Sequence, residues 1–218
     1  MAKICDSIAS LPGVNRVLIV DDGSVPPVTR EGLPVGVRLV RLPSNYGIGL
    51  CNHVAIDYFL SGRADVLVRI DADGQHPTHE IPRLAEAVRG DECDLAIGVR
   101  TNAGAATGIR SLAARAVRAY IRLIARLLTD GRVPGDINSG FYAMNRSAAA
   151  TFAEWPLERY PEPEMMIIAS LRKLRILGVP IEQGERLHGR STITVGRAFQ
   201  LLLRFNALAI NLLIDRLR

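Results

Sequence analysis

Residues 66–77 read VLVRIDADGQHP, and the two acids in that stretch have the clearest chemistry to offer. The apolar, β-branched residues Val66, Val68 and Ile70 predict a buried strand that stops at Asp71-Ala72-Asp73, with Gly74, Gln75 and His76 following. Two carboxylates one residue apart at the carboxyl end of a strand form a hard-oxygen site. Such a site suits Mg²⁺ or Mn²⁺ clamped on a diphosphate. Ligands of open α/β sheets bind outside the carboxyl ends of the strands. A plain turn also uses Asp and Gly. The apolar lead-in and the G-Q-H-P that follows favour the metal, with Asp71, Asp73 and Gln75 around it.

A second acidic pair, Asp21-Asp22, also follows an apolar run, Arg16 to Val20. A carboxylate there either accepts hydrogen bonds from a nucleobase or ribose or closes a solvated turn. If both runs lie in one parallel sheet, their carboxyl ends share one rim. Arg100, Arg110 and Arg115 follow the apolar run 94–99 and either grip a phosphate bidentately or form a solvated basic face. Asp136, Glu162 and Glu164 are candidate carboxylates for orienting or deprotonating an acceptor, although Glu164 equally suits a helix cap. His76 and His79 have no third ligand in sequence reach and read as surface histidines rather than zinc ligands. His188 to Thr192, HGRST, is either a lid for a diphosphate or an ordinary connection before a helix. The stretch GIGLCN, 47–52, lacks the third glycine and the acidic strand end of a dinucleotide site. With Asn45 it reads as a tight strand-to-helix turn.

The elements that must hold these residues alternate. Strands are predicted at 16–20, 37–42, 65–70, 94–99, 139–145 and 175–181, and helices at 48–60, 79–89, 109–128 and 163–173. Pro82 falls in a first helical turn, where proline is tolerated. Alternation of this kind predicts an α/β fold with a parallel sheet covered on both faces. Thr194 to Arg218 predicts a terminal amphipathic helix, with Arg197, Gln200, Arg204, Asn211, Asp215 and Arg218 as a narrow polar stripe. It suits a membrane surface or a partner, or else packing on the domain itself. Arg118, Arg122 and Arg126 form a basic stripe on the helix 109–128, suited to anionic lipid.

Bulk properties narrow the class. The chain has 218 residues, 48% apolar and 22% charged, which fits one domain with a real core. Its net charge of +5 suits an anionic partner. Aromatics are only 5% and do not interleave with the basic stripe, which argues against nucleic acid. Cys5, Cys51 and Cys93 are odd in number and widely spaced, so reduced thiols in a cytosolic setting are expected. Neither a signal peptide nor a spanning helix is visible.

In order, VDDGS (20–24), NYGIGLCN (45–52), DADGQHP (71–77), IGVR (97–100), DINSGFYAMNR (136–146), YPEPEM (160–165) and HGRST (188–192) resemble the family-two inverting glycosyltransferases of GT-A fold. The nearest look is to the branch of dolichyl- and undecaprenyl-phosphate sugar transferases. The resemblance implies a Rossmann-like, mostly parallel sheet flanked by helices over residues 1–193, followed by the amphipathic helix 194–218. It implies donor contacts from Asp21, Asp22, Asp71, Arg190 and Ser191, and Mg²⁺ or Mn²⁺ at Asp71, Asp73 and Gln75. Arg100 and Arg110 would face the acceptor phosphate, and Asp136 would lie in the acceptor region; Asp73, Asp136 and Arg100 would carry catalysis. Met1 to Ile4 fall inside the family's first helix, so its opening strand is missing.

The activity this implies is sugar transfer from a nucleotide diphosphate to a polyprenyl phosphate, by a peripheral protein on the cytoplasmic face of the membrane. A membrane protein or a second copy of the chain is the further partner expected. The alternatives are transfer to a sugar hydroxyl, or a catalytically impaired binding module.

Overall fold

The computed structural model describes residues 1–101, 109–129, 131, 139–155, 161–182, 206, 207 and 210, without the side chains of 109–115, 117 and 118. The described elements are α1 (Ala2–Ala9), β1 (Leu18–Asp21), β2 (Arg38–Arg41), α2 (Ile48–Ser61), β3 (Val66–Arg69), α3 (Ile81–Arg89), β4 (Leu95–Arg100), α4 (Ile109–Leu128), β5 (Tyr142–Asn145), α5 (Arg146–Ala153), α6 (Pro161–Leu171) and β6 (Ile176–Ile181). A single 3₁₀ turn at Thr78–Glu80 precedes α3. The strands and helices expected up to residue 181 form, most of the terminal helix lies outside the described residues, and α5 is an addition. It is short, and its alanine-rich run has little periodicity. It starts because the Asn145 side chain accepts from the Ala148 amide at 2.8 Å, a cap worth about 1 kcal/mol.

The strands form two sheets rather than the single one expected. β1 and β2 pair in parallel, and β3, β5, β4 and β6 pair in that order. Among the described residues no ladder joins β1 to β3. The parallel sheet expected from the alternation holds for β1–β2 and β4–β6, but β5 runs antiparallel to both β3 and β4. The cause is where β5 starts. Gly140 lies beside the end of β3, where its carbonyl accepts from Arg69. A strand that enters at the edge its neighbours leave must run against them. Ser139 and Gly140, read from the sequence as strand, are the approach to that rim.

Strand alternation splits the core in two. Leu95, Ile97, Tyr142 and Met144 face α2, α4, α5 and α6 with Ile56, Phe59, Ile121 and Phe152. Ala96, Phe141, Ala143, Val179 and Ile181 face α3, with Ile8 and Leu11 of the first segment packed alongside. Under β1 and β2 a smaller cluster gathers Cys5, Ile19 and Val37. The first segment therefore touches the cores of both sheets.

Asp94 ties the far end of β4 to β6. Its Oδ2 accepts from the Arg175 amide at 2.8 Å, and its Oδ1 accepts from Asn145 Nδ2 at 2.9 Å. Hydrogen bonds from Arg175 hold the Asp94 carboxyl down at about 2, below the ordinary 3.8. A lowered folded pKa means the unfolded chain takes up the proton first. Stability from Asp94 is therefore present above about pH 4 and lost as the pH falls towards about 2. Urea midpoints of Asp94→Asn are expected to fall less steeply than those of the wild type across that window. Parallel slopes would show that Asp94 is not the coupled group.

Candidate functional site

β3 ends at Arg69, and the chain then turns through Asp71 to Gly74. Gly74 has φ +79°, a left-handed conformation that glycine takes without cost. Asp73 Oδ1 accepts from the Gln75 amide at 3.0 Å, closing a short turn that fixes Asp73 relative to Gln75. Asp71 is oriented on both oxygens. Arg69 Nη2 donates to Oδ1 at 2.6 Å, and His76 Nε2 lies 3.3 Å from Oδ2. The Asp71 side chain is nonetheless 39% exposed. Each carboxylate oxygen has two lone pairs, so both partners leave room for a cation.

His76 corrects an expectation. It is buried, not on the surface, with its ring tilted against Phe141 at 5.3 Å between centroids. Its Nδ1 is buried with no hydrogen-bond partner among the described residues. His79 is exposed, as expected.

Glu162 is also corrected. Expected as a free acid, it is instead mostly enclosed, with its side chain 13% exposed, and ion-paired with Arg69 Nη1 at 3.2 Å. Burial pushes its carboxyl pKa up, and the Arg69 guanidinium pulls against that shift. Arg69 is inconspicuous in the sequence, because Val66, Val68 and Ile70 set the apolar pattern around it. The available signal is its spacing: residues two apart point to one side of an extended chain, and Arg69 is two residues before Asp71. Gly140 was likewise hidden. A Cβ there would collide with Arg69 Nη1 and Asp71 Oδ2, so any larger residue must displace one of those side-chain ends.

At the end of β1 the two acids divide by strand period. Asp21 follows Ile19 inward and is 2% exposed. Its oxygens accept from the Ser24 and Val28 amides at 2.9 and 3.1 Å. The hydrogen bond from Ser24 holds its carboxyl below the usual carboxylate range. Asp22 points the other way, towards the start of α2, and accepts from the Tyr46 and Gly47 amides at 2.7 and 2.8 Å. Gly47 has φ +99°, which permits this strand-to-helix turn. Cys51 lies in the first turn of α2, where the nearby charges of Asp22 and Asp21 favour its neutral thiol and that of Arg69 opposes them. Burial pushes the Cys51 and Cys93 thiols up to about 11, which keeps both protonated near neutrality.

Arg100 ends β4 and is half-buried. Glu164 is half-buried in the first turn of α6. The backbone of Arg110 lies in α4, but its side chain, and Asp136, Arg190, Ser191 and most of the expected terminal helix, lie outside the described residues.

Among the described residues, no group of three or more His, Cys, Asp or Glu side chains converges on one point. In the turn after β3 the groups able to offer oxygen to a cation are the Asp71 and Asp73 carboxylates, with the Gln75 side chain two residues on. An incomplete, all-oxygen set suits Mg²⁺ or Mn²⁺, which completes its shell with water and substrate phosphate.

The fold is α/β with acidic turns after β1 and β3, and comparison with known proteins gives its family. The sequence model described as Glycosyl transferase family 2 matches residues 2–152. The chain belongs to that family. It is 27% identical over 199 residues to the dolichol-phosphate mannosyltransferase of Pyrococcus furiosus, covering 88% of this chain and 55% of that protein. It is 26% identical over 204 residues to the undecaprenyl-phosphate 4-deoxy-4-formamido-L-arabinose transferase of Edwardsiella ictaluri, covering 91% and 58%. The chain thus spans little more than half the length of these relatives. In fold it resembles glucosyl-3-phosphoglycerate synthase of Mycobacterium tuberculosis, solved with Mn²⁺, uridine-diphosphate-glucose and phosphoglyceric acid. There the TM-score is 0.69 at 20% identity, covering 95% of this chain and 74% of that one.

Proposed function

We propose that this chain is the catalytic part of an inverting glycosyltransferase that moves a sugar from a nucleotide diphosphate to a polyprenyl phosphate at the cytoplasmic face of the membrane. The observation that carries the reading is the Asp71 carboxylate, held on both oxygens yet 39% exposed, one residue from Asp73. Asp71, Asp73 and Gln75 hold Mg²⁺ or Mn²⁺, which when bound neutralises charge building on the departing diphosphate. Asp22 serves the donor through the loop it ties to α2, and Asp21 by fixing the turn beneath it. Arg100 and Arg110 face the acceptor phosphate, Arg190 and Ser191 the donor, and Asp136 the acceptor region; these assignments rest on the family resemblance.

A hydroxyl acceptor needs a base; the Arg69 ion pair occupies Glu162, so Asp136 or Glu164 would have to serve. A phosphate monoester, with its second pKa at about 6, is already a nucleophile at neutral pH. The relatives named for dolichol and undecaprenyl phosphate support the same class of acceptor.

Residues 1–193 form the transferase unit and 194–218 a surface-binding helix. No helix among the described residues is long and apolar enough to cross a membrane. On α4, Leu123 and Leu127 are 55% and 66% exposed beside the exposed Arg122 and Arg126, a face suited to lying on anionic lipid. The test is incubation with radiolabelled nucleotide sugars and undecaprenyl phosphate, with and without Mn²⁺. Metal-dependent label in the organic phase is expected. Label that stays in water for every common donor would refute the polyprenyl acceptor.

A further inference from the structure

The least expected group in the molecule is a guanidinium at the core side of a strand end. Arg69 is only 13% exposed, and each of its terminal nitrogens has a defined task. Nη1 donates to the Gly140 carbonyl at 2.7 Å and to Glu162 Oε1 at 3.2 Å. Nη2 donates to Asp71 Oδ1 at 2.6 Å. The guanidinium carbon also sits 5.8 Å from the centre of the Tyr142 ring. Gly140 permits this packing by lacking a Cβ. A buried ion pair is a poor source of stability against an apolar replacement. What this one supplies is a fixed plane for the Asp71 carboxylate.

We infer that Arg69 and Glu162 form a positioning pair for cation binding: Arg69 sets the Asp71 carboxylate, and Glu162 aims Arg69 and balances its charge. The inference rests on the reading of Asp71 as a metal ligand. Without Glu162, the whole charge of Arg69 would fall on Asp71 and compete with the cation. Without the forked guanidinium, one donor cannot reach Gly140, Glu162 and Asp71 together, since the ammonium of lysine is a single point. Groups that orient a metal ligand typically change metal affinity by about 10–100-fold when altered.

Two variants separate charge from geometry. Arg69→Lys keeps the net charge and loses the fork. Glu162→Gln keeps an acceptor for Nη1 and loses the charge. Mn²⁺ affinity is read by electron paramagnetic resonance in the presence of a nucleoside diphosphate, alongside circular dichroism and melting. Both variants are expected to bind Mn²⁺ at least about 10-fold more weakly, with a loss of transfer that is largest at low Mn²⁺ and shrinks as Mn²⁺ is raised. Folded variants whose Mn²⁺ affinity matches the wild type would overturn the inference and leave the transferase reading standing. A wild type that binds no Mn²⁺ with any nucleoside diphosphate would overturn both.

Should a variant not fold, the wild type still decides. Its buried Arg69 side-chain ¹⁵N–H signals are expected to exchange slowly and to shift when Mg²⁺ is added with the nucleotide. Signals that ignore Mg²⁺ would count against the pair's role.

Discussion

Asp73→Asn is expected to lower sugar transfer by about 10²–10³-fold with little change in melting temperature. The asparagine Oδ1 can still accept from the Gln75 amide, now 3.0 Å from Asp73 Oδ1, so the turn survives. The negative charge does not. A bound cation contributes several kcal/mol of charge stabilisation, and losing about 3–4 kcal/mol of it corresponds to a factor of about 10²–10³. Asp73→Ala removes the turn contact as well and should be at least as damaging. Rates measured across a Mn²⁺ titration give the check. If Asp73→Asn at saturating Mn²⁺ runs within a few-fold of wild type, Asp73 is a turn residue and the metal sits elsewhere.

Gly23→Ala is the second large effect, and it falls in the turn after β1. Gly23 has φ +66°, and a Cβ there would lie 2.5 Å from the Ser44 carbonyl carbon and 2.8 Å from the Asn45 nitrogen. Both are backbone atoms, so no side chain can swing away. The left-handed conformation costs an alanine about 1–2 kcal/mol, and relieving the overlap adds about 1–3 kcal/mol. A loss of about 2–5 kcal/mol is expected, visible as a lower urea midpoint. The loop that must shift carries Asn45 to Gly47, whose amides hold Asp22. Nucleoside diphosphate binding should therefore weaken too. An unchanged midpoint would mean that the Asp22–Gly47 turn rearranges freely.

Much of this molecule is legible along the chain because the relevant signals are local. The alternation of apolar runs and helical spacing anticipates the described strands and most of the helices, within two residues at their ends except at the start of β5, which lies three residues later than expected. DADGQ marks the rim because a charged pair ending an apolar strand has few other uses. Non-local features stayed hidden. β5 reads as one more strand, yet its direction depends on where the preceding loop delivers Gly140. His76 reads as a surface histidine because nothing nearby in sequence reveals Phe141. Glu162 reads as a free acid because its partner is 93 residues away.

The α/β class, the acidic turns at Asp22 and Asp71–Asp73, and the family are all carried by residue type at short spacing. Which of those charges are available depends on how the chain folds. The tertiary structure buried Asp21 in its loop, paired Glu162 with Arg69, and left Asp71 held on both oxygens yet partly open to solvent. The physical reason is that a carboxylate's use depends on desolvation and on the charges within a few ångströms. In a sheet, those neighbours come from strands and loops far apart in the chain.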